Sequence, residues 1–171
     1  MNYFEFFDIP MGFTVDEAAL KRKYYANSKR FHPDYYTLES EEKQAEILEK
    51  STLNNEAYRT LTDFDQRMKY VLELKGALEE EGQNEVPQDF LMEMMDFNEA
   101  LMELEMDFDA ATYKNALRQL EEKEAALYEE VRAAVDSKKL TEAELSAAKN
   151  FYLKKRYLLR IRENLSKFAS P

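Results

Sequence analysis

From Phe90 to the C-terminus, apolar side chains recur in alternating steps of four and three, a spacing that commits this half of the chain to packed helices. Three stripes follow one another. The first is Phe90, Met94, Phe97, Leu101, Leu104, Phe108, and the second is Tyr113, Leu117, Leu120, Glu124, Leu127, Val131, Ala134. The third is Ala147, Phe151, Lys154, Leu158, Ile161, Leu165, Phe168. Stripes two and three pair in reverse order about a centre near Leu140, where Thr141 and Glu144 have the spacing of a capping box. Antiparallel neighbours joined there bring both stripes to one seam, so the spacing predicts a three-helix bundle. Glu124 and Lys154 interrupt their stripes in neighbouring layers and are expected to pair. Only 3 Gly and 4 Pro accompany 35% charged residues in the 171, which leaves little room for sheets or long loops and makes the whole chain all-α.

The first half carries weaker periodicity and more punctuation. Residues Asn2 to Phe7 read as one helical turn whose aromatic rings seek a core. Thr14-Val15-Asp16-Glu17 has the form of a capping box and opens a helix running from Asp16 to Phe31. Leu20, Tyr24, Asn27 and Phe31 share one face of it, while Lys21, Arg22, Lys29 and Arg30 lie away from that face. Pro33 ends the helix, because proline disfavours the α region at His32 and lacks the N–H that a continuing helix needs. Ser40 is placed to cap a third helix beginning Glu41-Glu42, with Ile47, Ser51, Asn54/Asn55, Tyr58 and Leu61 inward. A fourth, after Thr62, turns Phe64, Met68, Val71 and Leu72 inward and stops at Lys75-Gly76. Glu79 to Pro87 joins like charges, glycine and proline with nothing to bury, the composition of a linker. The expected organisation is a domain at 1–76, a linker at 77–88 and a second domain at 89–171.

Charge and composition exclude several functions. A net charge of −11 argues against nucleic acid, which demands a basic footprint. Negative charge is concentrated: no Lys or Arg occurs between Lys75 and Lys114. No apolar run approaches the ~20 residues of a membrane span, and the start lacks the basic and apolar regions of a signal peptide, so a cytoplasmic protein without a membrane partner is expected. With 0 Cys there is no disulfide, thiol nucleophile or thiolate ligand. A general base needs a partner and a pocket, and the single histidine, His32, instead has a proline beside it in a loop expected to be exposed. Asp63/Asp65 and Asp107/Asp109 lack the further oxygens and the turn glycine of a calcium loop and read as helix caps. No metal or cofactor is called for. A metal-dependent enzyme using His32, Asp34 and central acidic residues stays open as an alternative, though no second histidine or cysteine supports it and metal content would decide it.

The helix from Phe90 has a second apolar face. Leu91, Met92, Met95, Met102 and Met106 gather roughly 100–200° round from the first stripe, flanked by Asp96, Glu99 and Glu103. This face either covers a neighbouring element or forms an adaptable protein-binding patch, as methionine-rich surfaces do.

Several of these residues together resemble the J-domain family, co-chaperones of DnaK-type heat-shock ATPases. His32-Pro33-Asp34 is similar to that family's signature. It is preceded by the aromatic opening Asn2-Tyr3-Phe4-Glu5-Phe6-Phe7 and by the Leu20/Tyr24/Phe31 helix. Asn55-Glu56-Ala57-Tyr58-Arg59-Thr60-Leu61 follows, then Asp63, Arg67, Tyr70 and Leu72. Phe90-Leu91-Met92-Glu93 on an acidic helix resembles one branch, HscB, the J-protein of iron–sulfur cluster assembly. The resemblance implies an N-terminal J-domain, an antiparallel helical hairpin with a His-Pro-Asp loop, followed by a C-terminal three-helix bundle. It implies a co-chaperone that is not itself an enzyme. His32, Pro33 and Asp34 would press on a HscA/DnaK-type ATPase and stimulate it, with Lys21, Arg22, Lys29 and Arg30 steering. An IscU-type scaffold would dock on Leu91, Met92, Met95, Asp96, Glu99, Glu103 and Tyr157. A J-protein serving some other client is the nearest alternative. Two positions depart from the family pattern. Tyr35-Tyr36 stands where a lysine usually follows the signature, and Asn27 replaces a core aliphatic residue.

Overall fold

The computed structural model describes residues 1–169, which are helices joined by turns with no strand among them. The chain divides into two compact units, residues 1–74 and residues from 75 onward.

In the first unit, Asn2 and Glu5 form a reciprocal capping box that starts α1 (Tyr3–Phe6) and aims Phe4 and Phe7 inward beside Phe13. The Tyr3 amide donates to the Tyr70 hydroxyl at 2.9 Å and the two rings stack at 4.5 Å, tying α1 to the far end of the unit. Helix α2 (Glu17–Arg30) is capped by Asp16, which accepts from the Ala19 amide at 3.0 Å. The expected cap, Thr14, is displaced by two residues, since a carboxylate is the better acceptor at the positive end of a helix. Ser40 caps α3 (Glu41–Thr62) as expected.

The α2–α3 hairpin is antiparallel. Tyr24 stacks on Tyr58 at 4.0 Å, and its hydroxyl donates to Asn55 Oδ1 at 2.9 Å. Asn54 Nδ2 donates to the Tyr24 carbonyl and to Ser28 Oγ, both at 3.2 Å. The buried positions of α3 are Ile47, Asn54, Ala57 and Leu61. Ala57 thus takes the central place expected of Tyr58 and Asn55, because a small residue lets the two helices approach while the tyrosines stack at the edge. Helix α4 (Phe64–Leu74) follows the Asp63 cap and buries Arg67, Met68, Val71 and Leu72.

The second unit begins at Lys75 and turns at Gly76, whose φ of +64° is open to glycine at no steric cost. Residues 77–87 form no helix. Glu79 and Asn84 close a turn there by two hydrogen bonds, at 2.8 and 3.1 Å. The first stripe lies on two helices rather than one: α5 (Gln88–Glu93) and α6 (Met95–Met106) meet at Met94, where ψ of −6° breaks the α geometry. Phe90, Met94, Phe97, Leu101 and Leu104 are all buried across the break. Phe108 falls outside α6 and is exposed, because Asp107 adopts extended geometry and Asp109 caps the next helix. Its ring stacks on Phe168 at 6.1 Å.

Helices α7 (Ala110–Asp136) and α8 (Glu142–Ser166) pack antiparallel through Leu120, Leu127, Val131, Leu158, Ile161 and Leu165. Leu140 turns the chain at φ +51°, and the Thr141/Glu144 capping box is present. The expected Glu124–Lys154 pair is replaced. Glu124 accepts two bonds from Arg162, at 3.1 and 2.8 Å. The Lys154 ammonium lies instead over the Phe90 ring at 5.5 Å. Eight positions separate the two cations, about 80° of rotation, which turns Lys154 toward α5 and Arg162 toward the other flank of the seam.

Candidate partner-docking sites

The loop after α2 is held from three directions. Phe31, the C-cap of α2, is buried, while the Arg30 guanidinium and the Lys50 ammonium lie over its ring at 5.3 and 5.6 Å. The Tyr36 hydroxyl donates to the Arg30 carbonyl at 2.7 Å. From α3, the Gln44 amide donates to the carbonyls of Thr37 and Glu39. Between these anchors the chain forms a single 3-10 turn, Pro33–Tyr36, in place of an open loop. His32, in the extended conformation that a following proline favours, serves as its N-cap. His32 Nδ1 accepts the Asp34 amide at 3.2 Å, so a neutral ring carries its proton on Nε2. The Asp34 carboxylate approaches the same nitrogen at 3.7 Å and is almost fully exposed.

His32, Pro33, Asp34 and Tyr35 all face solvent on this braced turn. Lys21, Arg22, Lys29 and Arg30 are exposed on α2, Arg22 and Lys29 opposite Leu20 and Lys21 and Arg30 on its flanks. A surface groove of about 450 Å³ beside the turn is lined by Tyr25, Ala26, Ser28, Lys29, His32 and Tyr35. Sequence reasoning placed the tripeptide and the cations. It missed the groove, although Tyr25 stands two turns before His32 on one helical face, and it missed Gln44 and Tyr36 as the braces.

The second surface is the outward side of α5 and α6. Leu91, Met92 and Met95 are 40%, 66% and 57% exposed, and Met102 and Met106 continue the strip at 63% and 86%. Glu99 and Glu103 are exposed on its α7 side. Asp96 lies further round that way, in a groove of about 470 Å³ that it shares with Glu93, Phe97, Gln119, Glu122, Lys123 and Ala126. Lys123 pairs with Glu93 at 2.6 Å across this groove. Tyr157 belongs to the opposite flank, where its hydroxyl accepts from Asn98 Nδ2 at 2.9 Å and its ring meets Phe90 edge-on at 5.7 Å. The structure therefore gathers Leu91, Met92, Met95, Glu99 and Glu103 into one surface, with Asp96 and Tyr157 at its two borders. Among the described residues, no three His, Cys, Asp or Glu side chains are arranged to hold a metal ion. No helix of the described residues is long and apolar enough to cross a membrane.

Residues 86–166 match the family described as the HSCB C-terminal oligomerisation domain. The co-chaperone protein HscB homolog of Vibrio parahaemolyticus is 34% identical over 138 residues, which are 80% of this chain and 78% of that protein. The chain belongs to the HscB family of co-chaperones. Two solved HscB structures extend the likeness to the fold. The chaperone HscB from Vibrio cholerae has a TM-score of 0.70 at 26% identity, over 99% of this chain and 98% of that one. The human co-chaperone HscB has a TM-score of 0.76 at 28% identity, over 100% of this chain and 83% of that one. An all-helical J-domain followed by a C-terminal helical domain is thus the architecture of this HscB family member.

Proposed function

We propose that this HscB family member recruits a HscA/DnaK-type ATPase through its first unit, stimulates ATP hydrolysis there, and delivers an IscU-type scaffold protein held by its second unit. The observation that carries the reading is the braced turn: His32, Pro33 and Asp34 are exposed at the end of a basic helix, yet fixed by Phe31, Tyr36 and Gln44. A rigid, exposed constellation loses little conformational entropy on docking, which favours recognition by a partner over a role in the core. Lys21, Arg22, Lys29 and Arg30 steer this face onto an acidic surface, setting encounter rate and orientation more than final affinity. The scaffold docks on Leu91, Met92 and Met95, with Asp96, Glu99, Glu103 and Tyr157 around them. Residues 1–76 and 89–171 act as the two working domains, joined by 77–88.

The chain itself catalyses nothing in this scheme. By holding client and ATPase together it raises the local concentration of one for the other. The test is ATPase stimulation by a His32→Gln variant. Stimulation is lost, while helicity, melting temperature and scaffold binding are retained, because the side chain packs against no core residue. A variant that unfolds would instead assign His32 a structural role and remove the basis of the docking argument.

A further inference from the structure

The apolar part of the outward strip is built largely from sulfur. Met92, Met95, Met102 and Met106 are each more than half exposed on this one surface. The intervening Met94 is buried at 0%, and Met68 in the first unit at 1%. The chain has 0 Cys, so no thiol competes with these thioethers for an oxidant. We propose that Met92, Met95, Met102 and Met106 form a modification site for two-electron oxidants of the peroxide class, and that their conversion to sulfoxides closes the strip to its client. The inference rests on the reading above that the scaffold docks here.

Each step is balanced by the oxidant itself. A thioether sulfur lone pair attacks one oxygen of hydrogen peroxide, the S–O bond forms as the O–O bond breaks, and the departing hydroxide takes the proton of the oxygen now on sulfur, leaving sulfoxide and water. Sulfur is oxidised and peroxide reduced. The product replaces a flexible apolar side chain with a polar one whose oxygen is a strong hydrogen-bond acceptor. A partner covering the strip must strip water from that oxygen and offer it a donor.

This surface offers none of its own. No Lys or Arg occurs between Lys75 and Lys114, Glu99 and Glu103 bring carboxylates, and Lys123 is engaged with Glu93. The same placement protects the fold. Met94 fills the core at the α5–α6 junction out of reach of solvent, so oxidation changes the surface and leaves the packing intact.

The experiment treats the full chain with hydrogen peroxide, removes the oxidant, and maps oxygen additions by peptide mass spectrometry. It then titrates the chain against untreated IscU-type scaffold beside a circular dichroism spectrum. Additions are expected at the four strip methionines and at exposed Met1, to a lesser extent at half-buried Met11, with Met68 and Met94 unmodified and helicity unchanged. Scaffold affinity falls at least about tenfold and returns after treatment with methionine sulfoxide reductases. A variant with all four residues changed to leucine has no thioether left on the strip, so whatever its scaffold affinity before treatment, that affinity is the same after peroxide, although Met1 and Met11 still oxidise. Full affinity of the oxidised chain overturns the proposal, as does peroxide sensitivity of the leucine variant or oxidation of Met94 with loss of helicity. An untreated chain that does not bind scaffold overturns the docking reading, and the switch with it.

Discussion

Replacing Arg67 with methionine tests what holds the first unit together. Arg67 is 5% exposed. Its Nε donates to the Phe13 carbonyl at 2.8 Å, its Nη1 donates to the Leu61 carbonyl at 2.6 Å, and it lies 5.7 Å from the Phe64 ring centre. One side chain on α4 thereby ties the segment ahead of α2 to the end of α3. Burial lowers its pKa, and the carboxylates of Glu17 and Asp63 partly oppose that shift. The group stays charged at neutral pH. Each charge-assisted bond is worth roughly 1.5–3 kcal/mol, and removing the donor leaves two carbonyls to find new partners. Against this, methionine spares the cost of burying a charge, which is several kcal/mol and cancels much of the loss. A net destabilisation of about 2–4 kcal/mol remains, close to the effect of breaking a buried pair. For a unit of this size that lowers the melting temperature by roughly 10–30 °C. Differential scanning calorimetry of the full chain measures it, with Arg67→Lys falling between because an ammonium cannot span both carbonyls in the same fork. A methionine variant melting within about 2 °C of the parent would show that bonds and desolvation cancel, and that the unit is held by its aromatic and aliphatic core alone.

Other consequences are open to similar measurement. Leu120→Ala or Ile161→Ala removes a fully buried side chain from the α7–α8 seam and should cost about 2–5 kcal/mol in denaturant unfolding. Glu124→Ala should cost no more than about 1 kcal/mol, since its pair with Arg162 is partly exposed, and Lys154→Ala should leave that pair untouched. The Asp109 carboxyl is held below its ordinary 3.8 by the Thr112 hydroxyl and amide, so its stabilising effect is complete above that value and is lost as pH falls through the lower, folded-state one. Asp109→Asn should therefore flatten the acid limb of the stability profile below pH 3.8. The segment from residue 75 onward, expressed alone, should melt cooperatively; a broad, non-cooperative transition would count against an independent unit. Replacing Leu91, Met92 and Met95 together with alanine should weaken scaffold binding by roughly 2 kcal/mol or more per anchor residue while leaving the melting curve nearly unchanged.

How much was legible in the sequence followed how much of each interaction is periodic. The α7–α8 seam could be read directly, because its apolar residues alternate in steps of four and three and its turn carries a capping box. The break at Met94 could not. Phe90 to Leu104 keeps its apolar spacing across the junction, and no proline or glycine marks the change in ψ. The Glu124 pairing was misread because spacing along one helix does not say which flank of a seam a long side chain reaches. In the first unit, Arg67 looks like a surface residue by type, and only the positions of the Phe13 and Leu61 carbonyls give it a reason to be buried, whereas Asn54 was expected inward and is buried with its amide on the Tyr24 carbonyl. Asn54 is incompletely satisfied even so, since its Oδ1 has no partner. The tripeptide and its basic helix were visible through residue identity. Their bracing by Gln44 depends on contacts between segments and was not.

The distribution of charge joins the two proposed docking surfaces into one device. Helix α2 presents Lys21, Arg22, Lys29 and Arg30, whereas residues 76–113 carry twelve Asp and Glu and no Lys or Arg. A partner acidic enough to be drawn to α2 is repelled by the acidic helices, and a basic client is repelled by α2. Like-charge encounters across an interface cost several kcal/mol, so each surface rejects the other's partner as well as attracting its own. Such discrimination needs no contact between the two units, only that the two surface patches differ in sign. It is electrostatic and hence ionic-strength dependent: at 0.15 M salt the fields fade over about 8 Å, and at 1 M over about 3 Å. Raising salt should slow both associations while leaving the apolar anchors Leu91, Met92 and Met95 in force. The scaffold complex should then keep more of its affinity than its on-rate, and the ATPase encounter, guided by the four cations, should lose the larger share of its rate.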